Sequence, residues 1–318
     1  MSNGGTIEGA RGIIAAAERT DGRPPVSDQA ILEAAQGKRE LRVWRERPGD
    51  PASEAIAAGI LSVGDAAELD LVVAPAFRGR GVGTAALSEL LADAEGDVLA
   101  WAHGENPAAD ALLGRAGFTP VRSLLQLELD PKLLPRADSG DARGPLRIPT
   151  PAGLELRAFD PASESDAGAW VRANAAAFAD HPEQGRITLD DFALMRAEPW
   201  FDPADLILLA ETDTVPGADP EIAGSTWIKT VRGDDGVETE LYAVGVRPER
   251  AGQGLGRLLL DVTLARMAQH DPQRVTLYVD GENTRAVDLY TRAGFTVRSR
   301  SAQWKRPAGG RPGVRMDA

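Results

Sequence analysis

Six glycines give this chain its clearest chemical signal: Gly79, Gly81 and Gly83 in one stretch, and Gly252, Gly254 and Gly256 in another. Glycines at alternate positions let a backbone turn tightly and aim successive N–H groups to one side, which suits a phosphate. An apolar run leads into each set, from Leu69 to Val73 and from Leu241 to Val246, and reads as a strand. A helical pattern leaves each set at once, through Leu87, Leu90, Leu91 and Ala94 or through Leu255, Leu258, Leu259 and Val262. Strand, glycine turn and helix N-terminus together make an anion site. Two common phosphate loops do not fit. A G-x-x-x-x-G-K-[ST] loop needs a Gly-Lys pair, absent from both stretches. A G-x-G-x-x-G fingerprint needs a further glycine where Thr84 and Arg257 stand.

The elements that position these loops occur twice. In the first half the patterns predict helices over 11–20 and 29–35 and strands over 41–45, 55–63 and 69–73. After the loop and its helix come a strand over 98–101, a helix over 106–115 and a strand over 121–129. The second half repeats the order, with a strand over 154–157, helices over 167–177 and 189–196, and strands over 206–210, 222–230 and 239–246. Its loop and helix precede a strand over 274–280, a helix over 284–292 and a strand from Phe295. Between the halves, 131–151 is rich in proline and charge without periodicity, as a linker would be. The 318 residues match two domains at about 100–200 residues each.

Composition narrows the function. The net charge of −13 disfavours nucleic acid and anionic membranes as partners. A polyanionic ligand would need a local basic patch, which Arg78, Arg80, Arg250 and Arg257 stand ready to supply. Cysteine is absent and the three histidines are far apart, so neither a thiolate site nor a metal cage is expected. No apolar run approaches the ~18 residues of a membrane span. We expect a cytoplasmic, monomeric protein without a metal.

Both loops fit a different pattern, R/Q-x-x-G-x-G: Arg78-Gly79-Arg80-Gly81-Val82-Gly83 in full, and Ala251-Gly252-Gln253-Gly254-Leu255-Gly256 with Ala in the first place. Downstream, Asn106-x-x-Ala109-x-x-x-Leu113-x-x-x-Gly117-Phe118 returns as Asn283-x-x-Ala286-x-x-x-Tyr290-x-x-x-Gly294-Phe295, with one marker changed. On these residues the chain resembles the acetyl-CoA-dependent GNAT N-acetyltransferases, in two tandem copies. The resemblance implies an α/β fold with a mixed sheet. It also implies an N-terminal domain over 1–132 that binds acetyl-CoA without catalysing and a catalytic domain over 152–306, while composition makes 133–151 the linker and the Gly-, Pro- and Arg-rich 307–318 a disordered tail. Acetyl-CoA would lie along Leu71, Val72 and Val73 and the first loop. In the second half it would lie along Val244, Gly245 and Val246, then the loop, Arg257, Asn283, Arg285 and Ala286. Backbone N–H groups around Val244 to Val246 would bind the thioester oxygen, because family members splay this strand from its neighbour.

The same resemblance implies the chemistry. Tyr290 would point at the CoA sulfur, and a phenol with a pKa near 10 can protonate a departing thiolate. Leu113 cannot. Glu240, read as standing at the entry of the strand that leads into the second loop, would take the proton of the attacking amine. Aligning the loops at Gly83 and Gly256 sets Ala67 opposite Glu240, so the first half is expected to lack the base. A closer likeness rests on Trp101-Ala-His-Gly104, Asn174-Ala-Ala-Ala-Phe178, His181-Pro-Glu-Gln-Gly185 and Trp200-Phe-Asp-Pro203, which are similar to segments of the mycothiol synthase family. That family acetylates the cysteinyl amine of the pseudodisaccharide Cys-GlcN-Ins. The likeness implies substrate contacts at Asp28, Glu183, Lys229, Glu240 and Tyr278. An N-acetyltransferase for another small amine, and a non-catalytic acetyl-CoA sensor, remain open on the residues alone.

Overall fold

The computed structural model describes residues 4–62, 66–94, 96–135, 148–179, 184–213, 219–234 and 236–308, without the side chains of 4–6, 28, 29, 66 and 93. Glu183, most of the expected linker and the expected tail from 309 onward lie outside these residues, as does the side chain of Asp28. Helices α1 (Gly4–Asp21) and α2 (Asp28–Ala35) open the first half, followed by strands β1 (Glu40–Arg45), β2 (Ala55–Leu61) and β3 (Ala66–Val73). Then come α3 (Val82–Asp93), β4 (Asp97–Ala102), α4 (Pro107–Arg115) and β5 (Thr119–Leu129). The second half starts with β6 (Leu154–Ala158), α5 (Glu164–Ala177), α6 (Leu189–Arg196) and β7 (Leu206–Glu211). It continues through β8 (Ile222–Gly233), β9 (Gly236–Val246), α7 (Leu255–Gln269), β10 (Arg274–Asp280), α8 (Thr284–Arg292) and β11 (Thr296–Arg306).

Two departures from the expected elements have physical causes. Helix α1 runs several residues further back than its pattern, through glycines of poor helix propensity. Its buried stripe of Ala10, Ile13, Ile14 and Ala17 packs with Ala58, Ile60 and Val72, and that burial outweighs the propensity. Strand β9 also begins earlier than expected, because β8 and β9 form a long hairpin closed by the pair Gly233↔Gly236. Glu240 therefore lies well inside β9 and not at its entry.

The chain divides into two compact units. Unit 1 holds Met1–Leu125, Asp280–Glu282 and Ser299–Ala318; unit 2 holds Gln126–Val279 and Asn283–Arg298. In unit 1 the ladder runs β1-β2-β3-β4, with β3 and β4 parallel, and β4 then pairs antiparallel with β11 from Ala302 to Arg306. In unit 2 it runs β6-β7-β8-β9-β10, with β9 and β10 parallel, and the end of β5 lies beside β10. Each unit is thus closed by the final strand of the other half of the chain. Among the described residues no helix is long and apolar enough to cross a membrane.

Candidate active site

The two glycine loops have one conformation. Gly79 and Gly81 sit at φ of 72° and 82°, and Gly252 and Gly254 at 80° and 79°. A side chain is strained there, so glycine is required by the backbone itself. A Cβ built at any of these four, or at Gly256, would meet nothing within 4 Å, so the space over the loops is open. The helices they start are unlike their neighbours. Ser27, Asn106, Ser163, Thr188 and Asn283 each cap a helix with a side-chain oxygen, whereas α3 and α7 begin at Gly81 and Gly254 with no side-chain cap. The helix starts therefore have no side-chain acceptor of their own, and a helix start of this kind is suited to a pyrophosphate.

The basic side chains around the loops are partly spoken for. Arg78 makes two bonds to Asp21, at 2.7 and 2.8 Å, and its Nε donates to the Val73 carbonyl. Arg250 binds Glu211 in the same forked way, and Arg257 bonds Asp261 at 3.0 Å. Arg80 lies over the Phe77 ring. Three of the four loop arginines are thus paired with carboxylates, which leaves the loop backbones as the donors most open to an anion.

Beside each loop, two parallel strands part. The β9–β10 ladder runs from Glu238↔Arg274 to Leu241↔Leu277 and ends, although β9 continues to Val246 and β10 to Asp280. The β3–β4 ladder ends likewise at Leu69↔Ala100. Arg247 N–H donates to Ala223 on β8, so by strand alternation Val246 and Val244 turn their N–H groups into the opening. Ala74 donates to Ile56 on β2, which turns Val73 and Leu71 the same way. Val72 and Gly245 face the other neighbour. Gly245 has a packing duty as well: a Cβ there would come within 2.8 Å of Ala177 and 3.0 Å of Phe178 at the end of α5.

Three titratable side chains of unit 2, Lys229, Glu240 and Tyr278, line up across its sheet. Glu240 is directly opposite Lys229 on β8 and opposite Thr276 on β10. Opposed residues share a face, and Tyr278, two residues beyond Thr276, shares it too. The Lys229 ammonium lies 5.4 Å from the Trp200 ring, and Trp200 packs at 5.5 Å on Trp227 and 5.2 Å on Tyr242. The face therefore pairs a carboxylate and an ammonium beside an aromatic wall, with Tyr278 exposed at its edge. Trp200 of the Trp-Phe-Asp-Pro segment and Thr276 complete this face, and neither was singled out by residue type. Glu183 lies outside the described residues, but the two residues after it are anchored. Asn174 donates to the Gln184 carbonyl at 2.6 Å, and a side chain at Gly185 would strike the Phe178 carbonyl.

Register corrects one expectation about unit 1. Between Trp227↔Ala243 and Ile228↔Leu241 a bulge leaves Tyr242 as an extra residue on β9. Strand β3 has no such insertion against β2. Aligning the loops therefore misplaces everything before the bulge by one residue. The ladders set Glu240 against Thr276 and Glu68 against Leu99, so Glu68, not Ala67, is the counterpart of Glu240. Glu68 is held by Arg39 at 2.9 Å, and Arg39 also binds Glu33 and sits 3.9 Å from Asp70.

Tyr290 is buried, edge-on to Phe295 at 6.0 Å, and burial pushes its pKa up to about 12. It stays protonated at any ordinary pH, as a proton donor must. Leu113, equally buried, occupies the matching place in α4. Asn283 accepts from Ala286 N–H at 3.1 Å and Asn106 from Ala109 at 3.1 Å, so both asparagines set helix direction.

Comparison with known proteins agrees with this architecture. Residues 28–118 and 170–295 match the acetyltransferase (GNAT) family. The mycothiol acetyltransferase of Clavibacter sepedonicus is 41% identical over 303 residues, covering 93% of this chain and 91% of its own length. That of Kocuria rhizophila is 39% identical over 292 residues, covering 89% and 91%. Among solved structures, a GCN5-related N-acetyltransferase from Sphaerobacter thermophilus superposes with a TM-score of 0.65 at 24% identity, over 98% of this chain and 94% of the other. A tandem GNAT protein from the clavulanic acid biosynthesis pathway gives 0.63 at 18%, over 96% and 95%. Both structural likenesses speak for the fold.

Proposed function

Since the chain belongs to the GNAT acetyltransferase family and, within it, to the mycothiol acetyltransferases, we propose that it transfers the acetyl group of acetyl-CoA to the cysteinyl amine of Cys-GlcN-Ins, giving mycothiol and CoA. The observation that carries this reading is the row Lys229–Glu240–Thr276–Tyr278 beside the opening between β9 and β10. Acetyl-CoA supplies the thioester when it is bound. Gly252, Gly254, Gly256 and the uncapped start of α7 hold its pyrophosphate, and Asn283 keeps α8 beside its arm. The N–H groups of Val244 and Val246 take the thioester oxygen, where negative charge grows. Glu240 accepts the proton that the amine loses as its nitrogen bonds the acetyl carbon. Tyr290 gives its proton to the sulfur as the C–S bond breaks.

The acceptor offers hydroxyls and an amine, which suit Glu240, Lys229 and Tyr278, and on this reading Glu183 as well. A cysteinyl α-amine has a reference pKa near 7.7–8.0, so a carboxylate is base enough. In the first half, the N–H groups of Leu71 and Val73 and the loop from Arg78 to Gly83 hold a second acetyl-CoA that does not react. The domain limits 1–132 and 152–306 describe the repeat, with closing strands exchanged between units. Assaying CoA release against Cys-GlcN-Ins, an aminoglycoside and free amino acids tests the assignment. Turnover of Cys-GlcN-Ins at least tenfold above the others supports it, and comparable turnover of all three overturns it.

A further inference from the structure

The strand beside β10 in unit 2 comes from the first half of the chain, and one of its side chains reaches the acceptor face. Gln126 Nε2, on β5, donates to the phenol oxygen of Tyr278 at 2.9 Å. Tyr278 is 42% exposed, so packing alone does not fix its ring. It stands on the face that carries Glu240 and Lys229, two residues beyond Thr276.

The internal repeat supplies a control. The offset that carries Asn106 to Asn283 also carries Trp101 to Tyr278 and Gln126 to Gln303. Gln303 pairs with Trp101 in unit 1, so the glutamine is present at the same place on both closing strands. An indole has only a donor, so Trp101 has no oxygen to accept from Gln303. Instead Trp101 stacks on His103 and lies under the Arg122 guanidinium. The glutamine–phenol bond exists only in the unit with the Lys229–Glu240 row.

We propose that Gln126 is a positioning residue for the acceptor: it holds Tyr278 in place on the acceptor face before the substrate arrives. This rests on the acetyltransferase reading above and deepens it, because the site then needs a residue from the first half of the chain. Ordering an exposed tyrosine in advance removes a rotamer cost from binding. The gain belongs to acceptor affinity, with acetyl-CoA affinity and the chemical step left alone.

The test is steady-state kinetics of the full chain on Cys-GlcN-Ins, comparing wild type, Gln126→Ala, Tyr278→Phe and the double variant, with melting temperatures alongside. Gln126→Ala should raise the acceptor KM roughly 5- to 15-fold, the scale of one neutral hydrogen bond. It should leave kcat and the KM for acetyl-CoA within about twofold, and it should add nothing in the Tyr278→Phe background, where the two effects share one bond. An acceptor KM within twofold of wild type overturns the proposal. So does an undiminished effect in the Tyr278→Phe background, or a fall in melting temperature that accompanies equal changes in both KM values. A wild-type protein inert toward Cys-GlcN-Ins overturns the acetyltransferase assignment and this proposal with it, whereas an active wild type with an unaltered variant overturns the proposal alone.

Discussion

The two halves of this protein hold the same loop in the same conformation, and differ in what stands around it. Both have paired left-handed glycines, an uncapped helix, and parallel strands that part beside it. Only the second has an extra residue in the strand, at Tyr242. Only the second sets its glutamate against a lysine; in the first, Glu68 is held by Arg39. Tyr290 in one half is Leu113 in the other. On the reading proposed above, ligand binding and chemistry rest on separate features. The cradle is backbone and survives sequence change, whereas the reacting groups are single side chains that one substitution removes.

The contrast between the halves can be broken most sharply at the glutamates. Glu240→Gln should lower kcat by about 10²–10⁴-fold, the range for a positioned acid–base group, while Glu68→Gln should leave it within twofold. A large loss from Glu68→Gln, read in the same assay, would put chemistry in both halves. Next comes the proton donor. Tyr290→Phe should cost roughly 10²-fold in kcat. Because burial holds the phenol at about 12, the wild type should show no fall in kcat from its ionisation below about pH 10. A descending limb near pH 8 that vanishes in Tyr290→Phe would contradict the raised pKa while keeping Tyr290 as the donor; an unchanged kcat in Tyr290→Phe would remove it from the mechanism. Leu113→Tyr should not restore turnover to the Tyr290→Phe protein.

How much of this difference could be read from the sequence depends on what kind of feature it is. The loops were legible because glycine at φ near 80° has almost no substitute. Most helices and strands followed from periodicity, and Asn106 and Asn283 marked helix starts. The bulge was not legible, since one extra residue at Tyr242 changes neither composition nor apolar pattern. Missing it moved the alignment by one and hid Glu68. Its partner Arg39 could not be assigned either, because an ion pair between distant residues leaves no local signal. The exchange of closing strands was invisible for a different reason: β5 and β11 are repeats of one another, so pattern alone cannot say which unit each one closes.

Smaller effects sharpen the comparison of cradles. Gly81→Val and Gly254→Val each force a β-branched residue into a left-handed conformation, at about 1–2 kcal/mol, and fill the space over the loop. Titration calorimetry should show two acetyl-CoA sites in the wild type and one in each variant, with the surviving affinity unchanged. Two sites of unchanged affinity in both variants would refute the cradle. Smallest of all is Arg39→Ala. It releases Glu68, yet in a Glu240→Gln background it should raise turnover less than twofold, because unit 1 still lacks the bulge and a tyrosine at 113. A tenfold recovery would show that Arg39 alone silences the first half.

Single-turnover quench on the Gly254→Val protein tests most directly whether two cradles serve one reaction. With acetyl-CoA saturating the first loop and Cys-GlcN-Ins in excess, no acetyl-acceptor product should form on the wild-type timescale, although one equivalent of acetyl-CoA is bound. Formation of one equivalent of product at the wild-type rate would contradict the division of binding from chemistry between the two halves.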